Sequence, residues 1–388
     1  MKYKRLLDDK LENHFDRHPK QALVLLGARQ VGKTTILKRL FPEAKYLLVD
    51  EVGVHKILES YSSAVYRQLI GGAKRIFIDE LHLLSNPGRA VKLIYDQIPE
   101  VEIIVSGSSS LHIKNKIAES MAGRAIDYFL YPLTYSEYLY QTNINDRMDY
   151  VISSKLLSGD ESNSVATYDI ESLVEAMLLY GQYPYLIRNP RDKLYLKNMI
   201  DKAVFKDIVA LNLIENRSEA LRLLKLLAYQ IGNVLSYSSL AKRLEISAPT
   251  VRRYIDIFEQ SFIIYRLSPF MNNTGREISK LPKIYFWDLG LRNALVDNFN
   301  ELELRLDKGT LFENFIVNEL KKEFDYNDSG YRLRYWRLRS GQEVDVVLTK
   351  GDEVYGCEIK VGRGKVSTAF SNRYPKAKKR LISLDNFV

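Results

Sequence analysis

Gly27-Ala28-Arg29-Gln30-Val31-Gly32-Lys33-Thr34-Thr35 fits the spacing Gly-x4-Gly-Lys-Thr and lies between two apolar stretches of different kind. Before it, Ala22-Leu23-Val24-Leu25-Leu26 is a short continuous apolar run of the type buried in a parallel sheet. After it, Ile36-Leu37-Lys38-Arg39-Leu40 continues as a helix. Glycines let main-chain N–H groups wrap a polyphosphate, and the N-terminus of the following helix adds partial positive charge. Lys33 is expected to reach the β/γ-phosphates of ATP, and the Thr34 hydroxyl to hold Mg²⁺. All nine residues of the loop are therefore candidates for binding the nucleotide.

Strand and helix patterns alternate outward from this loop over residues 22–132, as a parallel sheet covered on both faces requires. Tyr46-Leu47-Leu48-Val49-Asp50 reads as a second strand and residues 55–70 as a helix. Arg75-Ile76-Phe77-Ile78-Asp79-Glu80 is an apolar strand ending in two acids, 46 residues beyond Lys33. At that distance Asp79 is expected to bind the metal through water and Glu80 to polarise the attacking water. Glu102-Ile103-Ile104-Val105-Ser106-Gly107-Ser108 supplies another buried strand ending in hydroxyls. Ser106 or Ser108 would sit where the additional-strand class of P-loop ATPases senses the γ-phosphate; capping the next helix explains either serine equally well. Arg124 has three readings: a finger toward a neighbouring subunit's γ-phosphate, an internal sensor, or a plain surface arginine. Asp79-Glu80-Leu81-His82 also matches the box of one helicase superfamily, but no arginine-rich motif of a second motor domain follows.

The chain has 388 residues, room for two or three domains, with 46% apolar and 27% charged residues. Its single cysteine, Cys357, excludes an internal disulfide and a cysteine-cluster metal site, which suits a reducing, cytoplasmic setting. No apolar run reaches membrane-spanning length, and the early acids in Lys2-Tyr3-Lys4-Arg5-Leu6-Leu7-Asp8-Asp9 do not suit a secretory signal. The net charge is +9, and residues 331–388 hold thirteen Lys/Arg against six Asp/Glu, leaving +7 at that end. Such concentration points to a polyanionic partner, with DNA the leading candidate, or to a solvated basic face.

Taken together, the loop, Phe77-Ile78-Asp79-Glu80, Ser106-Gly107-Ser108-Ser109-Ser110, Ala122-Gly123-Arg124 and Tyr131-Pro132-Leu133-Thr134-Tyr135-Ser136-Glu137-Tyr138 resemble a widespread prokaryotic AAA-type ATPase family. Its members carry a C-terminal region catalogued as domain of unknown function 4143. Gly181-Gln182-Tyr183-Pro184, Pro282-Lys283-Ile284-Tyr285-Phe286-Trp287-Asp288-Leu289-Gly290-Leu291-Arg292 and Gly309-Thr310-Leu311-Phe312-Glu313-Asn314-Phe315 extend the resemblance over almost the whole chain. It implies an ATPase core over residues 1–132 and a helical lid over 133–216. The periodicity of the latter region alone indicates only core-packing helices.

Residues 217–270 read as a winged helix-turn-helix. Ser247 suits an N-cap and Pro249 a first helical turn. Val251, Tyr254, Ile255 and Phe258 follow i, i+3, i+4, i+7 spacing and should face the core. Thr250, Arg252 and Arg253 are then left outward as DNA-binding candidates, with Phe262–Leu267 as the wing. Winged helices on ATPases also serve as packing or hinge modules, so both roles stay open.

Residues 271–388 carry a second constellation. Glu343–Lys350 and Glu353–Val361 flank Gly351-Asp352, a two-residue hairpin loop. Pairing Lys350 with Glu353 sets Asp345 opposite Glu358 and Glu343 opposite Lys360. One face would hold Val344, Val346, Leu348, Tyr355, Cys357, Ile359 and Val361, and the other Glu343, Asp345, Glu358 and Lys360. Carboxylates about 5 Å apart repel, and call for Mg²⁺ or for a shared proton. This arrangement is similar to the Asp…Glu-x-Lys, or PD-(D/E)XK, site of restriction-endonuclease-like folds. The resemblance implies metal ligation by Asp345 and Glu358, a phosphate-stabilising Lys360, and Glu313 completing the shell from the preceding helix. A surface ion pair between Glu343 and Lys360 is the plainer alternative. The surrounding order, helix 310–324, strand 332–338, hairpin, helix 366–374 and strand 380–384, fits the same fold.

The expected fold class is α/β: an AAA+-type P-loop parallel sheet with helical lid, winged helix and a nuclease-like α/β domain. The expected function is an ATP- and Mg²⁺-dependent ATPase acting on DNA with a cleavage site, with a further copy of the chain among its expected partners. A nucleotide-dependent switch with an inactive nuclease-like domain is the alternative. Protein remodelling would call for pore-loop aromatics in a hexameric ring, which the sequence does not clearly offer.

Overall fold

A computed structural model describes residues 4–107, 121–144, 148, 151–159, 168–204, 214–271, 281–338, 340–362, 364–384 and 386–387. Ser108 lies outside them. The chain divides into two compact units, one drawn from residues 1–132 and 260–262, the other from 133–259 and 263–388.

The first unit is built on five parallel strands: β1 (Ala22–Leu26), β2 (Lys45–Leu48), β3 (Arg75–Asp79), β4 (Glu102–Gly107) and β5 (Ala125–Phe129). Their order is β2-β3-β4-β1-β5, so β4 lies between the strand leading into the glycine loop and the strand ending at Asp79. All five residues of β1 are buried, as a central parallel strand with both faces covered requires. The expected helix over 55–70 is two helices, Val52–Glu59 and Ser63–Ile70. Tyr61 between them takes φ +47°, a left-handed conformation that ends the first helix.

In the second unit, helices Arg217–Tyr229, Tyr237–Leu244 and Ala248–Gln260 precede an antiparallel pair, β6 (Ile264–Leu267) and β7 (Lys283–Phe286). Val251, Tyr254, Ile255 and Phe258 are all buried, which matches the expected core stripe. The strand that pairs with the expected wing, β7, comes from residues assigned above to the next domain.

The C-terminal sheet has the order β11-β10-β9-β8, with β8 Arg332–Arg337, β9 Glu343–Lys350, β10 Glu353–Lys360 and β11 Lys378–Ser383. Helix Lys308–Tyr326 and helix Thr368–Arg373 accompany it. Lys350 does pair with Glu353, and the ladder runs as far as Cys357 opposite Val346. Beyond that point the expected faces fail. Arg334 pairs with Val347 but Trp336 with Val344, so β9 spends three residues where β8 spends two. Such a bulge reverses side-chain alternation. Val344 therefore joins Val347, Trp336 and Phe370 in one core cluster, instead of Val346 and Leu348. Gly356 allows this packing, since a Cβ there would lie 2.4 Å from the Phe370 ring. Cys357 is fully buried in β10, and burial pushes its thiol well above its ordinary range.

Helix Lys308–Tyr326 is unusual in burying Glu319, Lys322 and Glu323. Each acid works on main-chain donors. Glu319 accepts from the N–H of Tyr135 at 2.6 Å, at the start of helix Tyr135–Gln141. Glu323 accepts from the N–H groups of Ile152 and Ser153 at 3.0 and 2.7 Å, at the start of helix Ile152–Ser158. These are helix N-terminal donors with no partner inside their own helices. Lys322 reaches the Leu133 carbonyl at 2.9 Å and Glu319 at 3.1 Å. The first of these helices also carries a capping box, Thr134 with Glu137.

Candidate nucleotide site and C-terminal acid cluster

The glycine loop runs from the end of β1 to the helix Lys33–Leu40, whose N-cap is Gly32 at φ +99°. That backbone favours glycine. Gly27 is required for a different reason: a Cβ there would sit 2.1 Å from the Leu130 carbonyl oxygen. Buried Arg5 braces the loop, donating to the carbonyls of Val31 at 2.9 Å and Tyr131 at 2.7 Å. The Lys33 ammonium is held inside the loop by the carbonyls of Gly27 and Ala28 at 3.0 and 2.8 Å. Ala28 and Val31 are buried, Arg29 and Thr34 are partly buried, and Gln30 and Thr35 are exposed.

Asp79 is the hub of this site. Its carboxylate accepts from the Thr34 hydroxyl at 2.8 Å, the Tyr46 hydroxyl at 2.8 Å, the Glu80 N–H at 3.1 Å and the Ser106 hydroxyl. Ser106 is thus a support for Asp79, buried beneath it. Tyr46 was not among the sequence candidates. It lies on β2 beside β3, and burial with the Asp79 bond pushes its hydroxyl above the ordinary range. A tyrosine in an apolar strand gives no sign of such a role until strand order is known. Glu80 takes φ +58° and lies 3.2 Å from His82 Nδ1. Arg124 lies elsewhere, with its Nε 3.7 Å from Asp96 and its guanidinium over the Tyr95 ring.

On helix Ala248–Gln260, Arg252 and Arg253 are exposed and Thr250 is partly so. Arg252 lies over the Tyr237 ring at 4.2 Å. Arg253 pairs with Glu215 at 2.8 Å, and the Thr250 hydroxyl bonds Ser247 at 2.8 Å.

In the C-terminal sheet, Asp345 and Glu358 are buried and share the Lys360 ammonium, at 3.3 and 3.0 Å. Asp345 also accepts the Ile359 N–H at 2.9 Å, which takes up a donor left by the bulge. Burial and the neighbouring Asp345 push Glu358 up to about 7. Glu343 does not meet Lys360. It lies 3.3 Å from Lys283 and 3.6 Å from Arg337, because the bulge turns it away. Glu313 is turned toward the same lysine. It accepts from the Lys283 ammonium at 3.1 Å and the Tyr285 hydroxyl at 2.6 Å. Burial opposes the Lys283 charge, but Glu313, Glu343 and Asp345 outweigh it and hold the ammonium above its ordinary value. Lys283 and Tyr285 were missed by sequence reasoning. A lysine opening an apolar strand reads as a strand end, and only its burial at 1% exposure marks it.

The parallel order with β4 inserted beside β1, and Lys33, Thr34 and Asp79 gathered at the strand ends, define a P-loop ATPase domain of the AAA type. Comparison with known proteins agrees. Residues 19–139 match the family described as AAA domain, and residues 308–384 match Domain of unknown function (DUF4143). Residues 171–302 match Domain of unknown function (DUF8612). The chain thus joins an AAA domain to a DUF4143 domain. An uncharacterized protein of Methanocaldococcus jannaschii is 25% identical, covering 94% of this chain and 80% of its own length. One of Mycobacterium tuberculosis is 24% identical over 88% of this chain and 71% of its own. Among solved structures, the Walker-type ATPase of Pyrococcus abyssi shares 17% identity, with a TM-score of 0.46, covering 74% of this chain and 94% of that one. Among the described residues, no helix is long and apolar enough to cross a membrane.

Proposed function

We propose that the chain hydrolyses ATP and uses the cycle to control how its second unit engages DNA. The observation that carries the first half is the 2.8 Å bond between Thr34 and Asp79, which sets two oxygen ligands side by side at the mouth of the glycine loop. Such oxygen donors suit Mg²⁺, and Thr34 and Asp79 would hold it. When bound, the ion would supply charge neutralisation between the β- and γ-phosphates. Lys33 would leave the Gly27 and Ala28 carbonyls for the phosphates, Ser106 and Tyr46 would hold Asp79 in place, and Glu80 would orient the attacking water. Arg124, half exposed beside Asp96, suits a partner's nucleotide in an oligomer better than a role within its own loop. The Lys33→Ala variant should lose measurable ATP binding in a titration, while Glu80→Gln should keep binding and lose turnover. Unchanged affinity in the first variant removes the assignment.

The DNA half is supported by the outward Thr250, Arg252 and Arg253 and by the basic C-terminal residues. Whether the nuclease-like domain cuts is a separate question, and one observation favours the regulatory reading. Among the described residues, no three acidic, His or Cys side chains converge to hold a metal ion. As placed, Asp345, Glu358 and Glu313 do not make the metal shell that the nuclease resemblance implies.

A further inference from the structure

Glu313 is diverted from the Asp345–Glu358 pair by a strand of the wing. Lys283 and Tyr285 are two residues apart on β7, so both project from the same side, and both end on Glu313 Oε1. Lys283 also spans to Glu343 at 3.3 Å, with the Tyr335 ring 5.6 Å from its ammonium and the charge of Asp345 acting on it. The Lys283 side chain is 1% exposed, so the acids beside it are met by a positive charge from within the chain. A divalent cation would need carboxylate oxygens at about 2.1 Å. Glu313 Oε1 accepts from both β7 groups, so the Lys283 charge and the Tyr285 bond hold this carboxylate toward β7.

We infer that Lys283 is the resident cation of the C-terminal acid cluster and closes it to divalent metal, so that the wing strand acts as an autoinhibitory plug. This rests on the nuclease-like reading of Asp345 and Glu358. The plug belongs to β7, which pairs with β6 directly after the helix carrying Arg252 and Arg253. Movement of the wing on a bound polyanion would therefore withdraw the ammonium and release Glu313 toward Asp345 and Glu358.

The test is Mn²⁺ binding to the full chain without nucleotide, read by electron paramagnetic resonance. All arms carry Thr34→Ala, so that the glycine loop contributes no ion. The chain with Lys283 intact should take up no Mn²⁺ at the cluster. Lys283→Met should gain one ion per chain, bound at least tenfold more tightly than any residual uptake with Lys283 intact, and adding Asp345→Asn should remove it. Lys283→Gln runs in parallel, since it keeps a donor beside Glu313 if the methionine packs poorly, and thermal melting checks both folds. Asp345-dependent uptake of equal strength with Lys283 intact would overturn the plug while leaving the metal site standing. No Asp345-dependent ion in any variant would overturn the metal site and the plug together.

Discussion

At the scale of single residues, the glycine loop is the most constrained part of the molecule. A methyl group on Gly27 would meet the Leu130 carbonyl, a backbone atom that cannot swing aside. Gly27→Ala should therefore destabilise the first unit by about 1–3 kcal/mol, the usual range for overpacking, and weaken ATP binding with it. Urea unfolding and an ATP titration check the two effects. Most of this site was legible in the sequence, because phosphate binding needs glycines, a lysine and a hydroxyl at fixed spacing along one turn. Residues that act across strands were not legible. Tyr46 reaches Asp79 only because β2 lies beside β3, and Lys283 reaches Glu313 only because β7 folds back beside helix Lys308–Tyr326. No spacing along the chain encodes either meeting.

At the scale of elements, apolar periodicity gave the parallel strands and the helix-turn-helix core stripe. It failed where local backbone geometry intervened, at Tyr61 and at the β9 bulge, since one left-handed residue or one extra residue leaves no mark on hydrophobic pattern. Helix Lys308–Tyr326 invites a measurement of its own. Burial, and next the nearby Glu319, push Glu323 up to about 8. A carboxyl raised in the folded state binds its proton more tightly there than in the unfolded chain. Its stabilising contribution is thus full below pH 4.5 and is lost as pH rises toward about 8. Glu323→Gln, which stays neutral, should flatten the fall in stability over this window, at a cost that does not vary with pH because one of the Ile152 and Ser153 donors then faces the amide NH2 instead of an oxygen. Urea midpoints at pH 5 and pH 8 provide the check. An undiminished fall in the variant would place the titration elsewhere.

At the scale of the whole molecule, an AAA-type unit and a unit bearing the helices Tyr237–Leu244 and Ala248–Gln260 and a basic C-terminal sheet share one chain. DNA affinity should fall steeply with salt, as phosphate contacts release counterions. Replacing Arg252 and Arg253 together with alanine should weaken binding and reduce the salt slope by about 2, roughly one for each lost phosphate contact. The Arg253–Glu215 pair is exposed and holds that arginine only weakly, so it does not stand in the way. A mobility shift across a salt series measures both quantities. An unchanged slope would assign the winged helix to packing.

Cys357 has a practical side. The sole thiol of the chain sits in the middle of β10 with its sulfur sealed from solvent and its proton held tightly. Alkylating reagents need an accessible thiolate. A fluorophore can therefore be attached at a cysteine introduced on either unit without first deleting the native one, and any slow labelling of the unaltered chain clocks the opening of the C-terminal sheet.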